Sequence, residues 1–243
     1  MSYIGTNKVG KMYLGSTAIG KAYLGNDLVY DSAGGSTVLP YDTEIEYLQS
    51  SGTQYIDTGI VQVSRNFEVR MRLQWVGTTA SQFESFFAYM AAGSSITPRS
   101  GFHKYQGNWM FGTNTTTITS TVIDGSVHDI LWTSNASTQK EQLFLDGTKI
   151  GEGTTASTGL STNTIPFFLG CRNRNGNTDN PTSMRIMSLN YKYFSDAEHT
   201  TLVKEWDFVP VRVGQVGYMY DKVSGELFGN SGSGSFTLGN DKS

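Results

Sequence analysis

Cysteine and histidine are scarce, since the 243-residue sequence contains one cysteine, Cys171, and three histidines. One cysteine cannot close a disulfide within the chain, and no cysteine or histidine group has the spacing of a zinc site. We therefore expect neither a disulfide nor a metal ion to stabilise the fold, and no cofactor.

A basic excess is also lacking, because 18 lysines and arginines stand against 21 aspartates and glutamates and leave a net charge of -3. Proteins that bind nucleic acid neutralise its phosphates with clustered lysine and arginine. The composition therefore argues against DNA or RNA as a partner.

Long apolar runs are missing as well. No stretch approaches the ~18 consecutive apolar residues of a membrane-spanning helix. The first residues, MSYIGTNKVG, lack the apolar centre of a signal peptide. We therefore expect no membrane partner, and synthesis in the cytoplasm without an export signal.

Proline is rare, with 5 residues, whereas glycine reaches 28. This balance is typical of short strands joined by tight turns. The sequence favours an all-β protein, and its length suffices for one large sandwich with a small appendage.

A ten-residue repeat occupies the N-terminus, where YIG, YLG and YLG recur from Tyr3, Tyr13 and Tyr23. A unit this small cannot bury its own apolar face. Either the units form a β-meander on the following domain, or they anchor and oligomerise the chain, which we favour. The predicted anchoring and oligomerisation residues are Tyr3, Ile4, Val9, Tyr13, Leu14, Ile19, Tyr23, Leu24 and Val29.

A Gly/Ser-rich stretch that behaves as a flexible joint follows the repeat. We therefore divide the chain into a repetitive β segment at residues 1–31, a linker at 32–40 and a main domain at 41–243.

Alternation of apolar and polar residues marks the clearest strand of the main domain, at residues 67–75. Residues 165–170 form a continuous apolar run that suits an inner strand of a sandwich. Asp146-Gly147 lies between two strand-like halves and predicts a hairpin turn in which glycine supplies a positive φ.

A second alternating stretch covers residues 185–193, with one face predicted to carry Met187, Leu189, Tyr191 and Tyr193. Only one helix is predicted, at residues 197–204, because Ser195 and Glu198 have the spacing of a capping box. Many strands with almost no helix predict two packed antiparallel sheets.

Residues 45–59, IEYLQSSGTQYIDTG, resemble the opening strands of concanavalin A-like or laminin G-like domains, which are common in gut Bacteroides proteins and their phages. Residues 143–149, LFLDGTK, resemble the strand-Asp-Gly-strand element of that superfamily, and residues 207–212, 217–221 and 228–230 resemble its closing segment. The resemblance covers residues 41–239 and implies a concanavalin A-like jelly-roll sandwich, for which glycan binding is the usual task.

The N-terminal strings KMYLG and LVYD resemble lead-in repeats of phage structural proteins, notably head fibre or decoration proteins of crAss-like Bacteroides phages. This resemblance implies display on a virion surface, often in trimeric fibres.

We therefore expect a non-enzymatic phage virion protein that is made in the host cytoplasm and lies on the virion surface. Its N-terminal segment would form a homotrimer and attach to capsid or tail proteins, and its jelly roll would face outward and bind host surface glycans. A bacterial carbohydrate-binding or adhesion protein is the alternative, and a glycoside hydrolase is the third hypothesis.

Retaining glycoside hydrolases need two carboxyl groups about 5 to 5.5 Å apart. Glu44 and Glu46 have the nearest spacing, but we expect them to face solvent on an edge strand. His103, His128 and His199 are expected to be ordinary surface or boundary residues, so no catalytic residue is predicted.

Two stretches combine the aromatic and polar groups that bind sugars, residues 103–109 and 172–179. The candidate glycan-binding residues are Tyr105, Asn108, Trp109, Arg172, Asn173 and Asn175. Two alternatives stay open: Trp109 as a core residue, and the second stretch as a solvated hairpin tip.

Calcium needs several converging carboxylate and carbonyl oxygens. Asp146, Asp179 and Asp221 are scattered along the chain. We therefore predict no obligatory metal, with a calcium ion near Asp179 as the least surprising exception.

Overall fold

The computed structural model describes the backbone of residues 3–4, 7–8, 13–14, 17–18, 21–24 and 27–31, and the residues of 39–77, 83–91, 98–156 and 160–242 with their side chains. The chain divides into two compact units, Met1–Pro40 and Tyr41–Ser243.

The described residues of the N-terminal unit form three antiparallel strand pairs: β1 (Tyr3–Ile4) with β2 (Asn7–Lys8), β3 (Tyr13–Leu14) with β4 (Thr17–Ala18), and β5 (Lys21–Leu24) with β6 (Asp27–Asp31). The register repeats with the sequence, because Ile4 pairs with Asn7, Leu14 with Thr17 and Leu24 with Asp27. The ten-residue sequence repeat is therefore also a repeat of strand pairing. The predicted anchoring residues Val9 and Ile19, and residues 32–38 of the linker, lie outside the described residues.

The second unit consists of short strands, which in chain order are β7 (Thr43–Glu44), β8 (Leu48–Ser51), β9 (Ile56–Val61), β10 (Phe67–Trp75), β11 (Phe83–Met90), β12 (Arg99–Tyr105), β13 (Asn108–Thr113), β14 (Thr117–Val122), β15 (Val127–Asn135), β16 (Lys140–Leu145), β17 (Thr148–Thr154), β18 (Pro166–Leu169), β19 (Arg172–Arg174), β20 (Asn177–Asp179), β21 (Ser183–Phe194), β22 (Leu202–Val213), β23 (Val216–Asp221), β24 (Glu226–Phe228) and β25 (Thr237–Leu238). Within the described residues, this unit also contains one 3-10 turn, Leu160–Thr162.

These strands form two sheets. Sheet A has the order β17-β16-β15-β10-β21-β22-β23-β24, with β7 on β22, β8 on β21 and β25 on β8. Sheet B has the order β14-β13-β12-β11-β18-β9, with β19 on β11 and β20 on β19. All described pairs are antiparallel except β11 with β19. The predicted all-β, two-sheet architecture is confirmed.

The core lies between the two sheets and is strongly aromatic. Tyr191 of sheet A packs against Phe87 and Phe167 of sheet B, with ring centroids 6.4 and 6.0 Å apart. Phe87 and Phe167 stack on each other at 4.2 Å. Since these side chains are almost fully buried, removal of apolar surface from water stabilises the contact between the sheets.

Two sequence predictions of strands are confirmed in detail. β10 begins at Phe67 and ends at Trp75, with Phe67, Val69 and Met71 buried on the inner face. The apolar run near residue 165 forms β18, an inner strand that lies between β11 and β9.

The predicted face of residues 185–193 is partly wrong. A register shift in the pairing of β10 with β21 brings Arg72 opposite Ser188 but Leu73 opposite Ile186, so Met187 is the extra residue of a β-bulge. Ile186 is therefore buried, whereas Met187 is only half-buried. Leu189 and Tyr191 face the core as predicted.

The predicted helix at residues 197–204 is also wrong, because the chain turns there and β22 begins at Leu202. The Asp196 carboxylate accepts hydrogen bonds from the backbone N–H groups of Thr200 and Thr201 at 2.9 and 2.7 Å. These bonds close a loop rather than a helical turn, and such local bonds of aspartate compete with helix formation.

The opening strands identified by resemblance belong to different sheets, since β8 pairs with β21 and β9 with β18. None of the described helical segments is long and apolar enough to cross a membrane. Cys171 is free and buried.

Candidate functional site

A cavity of about 290 Å³ lies on the outer face of sheet B. Phe102, Trp109 and Phe111 belong to the core, so the residues that alternate with them on β12 and β13 point away from it. We call this space the outer cavity; it is lined by Phe83, Tyr89, Met90, Arg99, Ser100, Gly101, His103, Tyr105, Met110, Gly112, Thr116, Ile118 and Arg172.

Strand β11 brings the two predicted stretches together. Its first residue, Phe83, pairs with Tyr105 of β12 in antiparallel register. Further along, Ala88 pairs with Arg172 of β19 in parallel register. Tyr105 and Arg172, which are far apart in sequence, therefore line the same cavity.

The floor of the outer cavity is an imidazole ring that fits only because Gly101 has no side chain. A Cβ at residue 101 would lie 2.2 Å from His103 Nε2 and 2.7 Å from the Ala88 Cβ. His103 Nδ1 lies 2.9 Å from the Ser85 hydroxyl. Burial, together with the positive charges of Arg172 and Arg99, lowers the pKa of His103 to about 3, so the ring is neutral. His103 is thus a buried residue, not the surface or boundary residue expected.

Aromatic rings line one side of the cavity. The Phe83 ring centroid lies 4.9 Å from that of His103 and 5.9 Å from that of Tyr105. Tyr105 is half-buried and keeps part of its surface open. Such a row offers an apolar surface to the nonpolar face of a ligand ring.

Two arginines supply the positive charge. The Arg172 guanidinium donates to the Asp179 carboxylate, and its carbon lies 5.2 Å from the Phe83 ring centroid. Arg99 Nη2 donates to the Asn114 carbonyl oxygen at 3.5 Å. Burial, and then the charge of Arg172, lowers the pKa of Arg99.

The solved structures that resemble this chain show what the fold is. The CBM40 module of a Ruminococcus gnavus sialidase, solved with α2,3-sialyllactose, superposes with a TM-score of 0.50 and 13% identity over 63% of this chain and 94% of the module. A Bacteroides ovatus protein, described as a candidate carbohydrate-binding protein, gives a TM-score of 0.56 and 9% identity, covering 82% of this chain and 61% of that protein. The fold is a jelly roll. No family model and no curated protein matches the sequence.

The jelly roll buries two of the predicted glycan-binding residues. Trp109 is fully buried and stacks on Phe102 with centroids 5.0 Å apart, so its indole has no face open to a sugar. Asn173 is 1% exposed; its amide donates to the Pro166 carbonyl oxygen at 2.9 Å and accepts from Gly176 N–H at 2.7 Å. Both side chains are thus enclosed within the sandwich, and neither lines the outer cavity.

The remaining predicted residues differ in their access to the cavity. Asn108 is half-buried and pairs with Tyr105 across the β12–β13 hairpin, and Asn175 is exposed with a φ of 51°. Neither of them lines the outer cavity, whereas Tyr105 and Arg172 do.

Sequence reasoning missed Phe83, Arg99, Met110 and Ile118. The period-two alternation of β12 could have placed Arg99, Gly101 and His103 on the face of Tyr105. Phe83 could not be assigned in the same way, because β11 contains a register shift between Ser85 and Phe87 that changes its alternation.

The two carboxylates with the nearest spacing to a catalytic pair, those of Glu44 and Glu46, have partners outside the outer cavity. Glu44 lies near Lys222 and Lys242, with N to O distances of 3.5 and 3.8 Å, and Glu46 accepts from the Asn240 amide at 3.1 Å. Among the described residues that line the outer cavity, none is an aspartate or a glutamate. Across residues 39–77, 83–91, 98–156 and 160–242, no group of three or more His, Cys, Asp or Glu could hold a metal ion. The Asp179 carboxylate lies against Arg172 and Arg174.

Proposed function

We propose that the protein is a non-enzymatic carbohydrate-binding protein and that the outer cavity is its glycan site. One observation carries the proposal. Aromatic rings and two arginines line the same open cavity, although they come from strands that lie far apart in sequence. Sugar recognition needs this combination, since the ring packs on an aromatic face while polar groups bind the hydroxyls.

The relatives in structure support the same class of ligand. The CBM40 module was solved with a bound sialyllactose, and the Bacteroides ovatus protein is described as binding carbohydrate. At this level of identity the likeness concerns the fold, so the ligand class rests on the cavity itself.

Screening the full chain on a glycan array tests the proposal, followed by titration calorimetry with the best glycan. Tyr105→Ala removes the open ring and should weaken binding about tenfold, whereas Tyr105→Phe should retain most of the affinity. Tyr218→Ala, at a half-buried tyrosine of sheet A, is the matched control. An array without any bound glycan, or equal losses for Tyr105→Ala and Tyr218→Ala, would contradict the proposal.

Calcium has no required role in this proposal, because the Asp179 carboxylate, near which an ion was expected as the exception, lies against Arg172 and Arg174. Array signals should be unchanged in EDTA and after adding calcium. A loss of binding in EDTA that added calcium restores would show that glycan binding depends on calcium.

The N-terminal segment is proposed to display the jelly roll on a phage virion as a homotrimer attached to capsid or tail proteins. Isolated two-stranded hairpins are marginally stable in water, and this segment has three of them within its described residues. Pairing with sister chains would bury their apolar side chains. Light scattering of the full chain should give three times the chain mass, and a monomer at all concentrations would contradict the trimer.

A bacterial carbohydrate-binding or adhesion protein is the second candidate, favoured by the likeness to the Bacteroides ovatus structure. Neighbouring genes discriminate the two. Capsid or tail genes beside this one would support the virion protein, and polysaccharide-uptake genes would support the bacterial one. New reducing ends after incubation with glycans would instead indicate a hydrolase.

A further inference from the structure

The outer cavity contains two guanidinium groups with unsatisfied donors. The Nε atoms of Arg99 and Arg172 are buried, and neither has a hydrogen-bond partner among the described residues. Buried donors without partners cost free energy, so they are rare unless a ligand satisfies them or a function requires them. Both arginines line the same cavity, which points to a shared acceptor.

The positive charge near the cavity also exceeds the negative charge. Arg172 and Arg174 share one carboxylate, Asp179, and Arg99 has no ion-pair partner in the described part of the chain. His103 is neutral, and the cavity lining includes no aspartate or glutamate among the described residues.

A planar guanidinium presents parallel N–H groups that match a carboxylate better than a hydroxyl. Arg99 and Arg172 are half-buried, and charge-assisted hydrogen bonds are stronger there than at fully exposed side chains. The aromatic row of Phe83 and Tyr105 stands beside this charge and would hold the ring that carries the carboxylate.

We propose that the outer cavity selects glycans that carry a carboxylate, as sialic and uronic acids do, with Arg99 and Arg172 binding the acid and Tyr105 the sugar ring. This inference rests on the proposed glycan-binding function and names its ligand class.

Titration calorimetry of the full chain against matched probes tests the inference. The first pair is 3′-sialyllactose and lactose, and the second is a glucuronate-containing oligosaccharide and its carboxyl-reduced form. In at least one pair, the acidic member should bind at least ten times more tightly than the neutral member. The pair that shows this difference identifies the source of the carboxylate. Raising the salt concentration should weaken the acidic ligand more than the neutral one.

Arg99→Gln should remove the preference for the acid and leave binding of the neutral member within about twofold. Arg99→Lys keeps the positive charge but loses the planar guanidinium, so it should show only part of the wild-type preference for the acid. Arg70→Gln is the matched control. It removes one positive charge from sheet A, where the Arg70 side chain is 57% exposed, and should leave the affinity for both members of the pair unchanged. Melting curves confirm that each variant is folded.

The outcomes separate the inference from the proposed function. Equal binding of acidic and neutral members would overturn the carboxylate preference while glycan binding stands. If 3′-sulfolactose bound as tightly as sialyllactose, the cavity would accept any anion, and the proposed selection of a carboxylate would be overturned. An equal effect of Arg70→Gln would show a long-range charge effect and overturn the role of the cavity. Failure of every glycan to bind would defeat both proposals.

Discussion

At the scale of the residue, Glu141 is an ionisable group that is buried in the core and has partners in both sheets. Its Oε2 accepts from the Thr113 N–H of sheet B at 3.0 Å and from the Trp132 indole of sheet A at 3.3 Å, so one carboxyl connects the two sheets. Burial raises its pKa from the ordinary 4.5 to about 7 in spite of these bonds.

This shift predicts that stability falls as the pH rises. Below pH 4.5 the carboxyl is protonated in both states; between 4.5 and about 7 the folded protein keeps a proton that the unfolded chain releases. The loss reaches roughly 3 kcal/mol above pH 7. Glu141→Gln cannot ionise, so its free energy of unfolding, measured by urea denaturation, should decrease less between pH 5 and pH 8 than that of the wild type.

The exposed Glu226 provides the control, because Glu226→Gln makes the same chemical change outside the core. It should follow the wild-type pH dependence. Parallel curves for wild type and Glu141→Gln would show that the buried carboxyl is ionised in the folded protein already at pH 5.

Lys104 illustrates what residue-level sequence reasoning could not find. Its side chain is 3% exposed and lies 2.9 Å from the Glu84 carboxylate, which also accepts from the Trp75 indole and the Thr182 hydroxyl. Lysine is almost never buried without a partner, and the partner comes from a neighbouring strand. Nothing local to residue 104 predicts that pairing.

At the scale of the element, the β16–β17 hairpin agrees with its sequence. Leu145 pairs with Thr148, and the two residues between them, Asp146 and Gly147, have φ values of 49° and 80°. Positive φ at both central positions is typical of the type I′ turn, which matches the twist of the strands.

Gly147→Ala should therefore destabilise the protein by about 1 kcal/mol, because an L side chain is disfavoured at this φ. Space plays no part, since a Cβ at residue 147 would have no atom within 4 Å. Thermal and urea denaturation measure the change.

Gly125→Ala is the matched control for this turn. The φ of Gly125 is not in the left-handed region, and a Cβ there would lie 3.9 Å from the Trp75 carbonyl oxygen, an ordinary contact. Equal stabilities of the two variants would argue against backbone strain at Gly147.

The β-bulge in β21, in contrast to the hairpin turn, could not be predicted from its own sequence. Its sequence alternates smoothly through Met187, and only the pairing with β10 reveals the extra residue. A bulge depends on the partner strand, so alternation within one strand does not predict it.

At the scale of the whole molecule, the jelly roll should fold without the N-terminal unit. The residues of its hydrophobic core run from Ile45 to Phe236, all within the second unit. A chain of residues 41–243 should keep a cooperative melt close to that of the full chain. Light scattering should find it monomeric if the N-terminal segment forms the trimer.

Fusion of residues 1–40 to an unrelated monomeric protein tests the converse, because the segment should then make its carrier trimeric. A truncated chain that stays trimeric would place oligomerisation in the jelly roll. A truncated chain that unfolds would show that the sandwich needs the N-terminal unit.

The sequence by itself determined the features that depend on neighbouring residues: the alternation of β10, the buried run of β18, the Asp-Gly turn and the ten-residue repeat of paired strands. Each follows from side-chain direction or backbone preference within a few residues. The outer cavity was decided only by tertiary structure, since Tyr105 and Arg172 meet through their separate pairing with β11. Tertiary structure also buried Trp109, which packs on Phe86 and Phe102 on the core face of sheet B, and Asn173, which lies on β19 between β11 and β20. The physical reason is that the register between strands fixes the face that each residue presents, and neither register nor packing is set by the residues next to it in the chain.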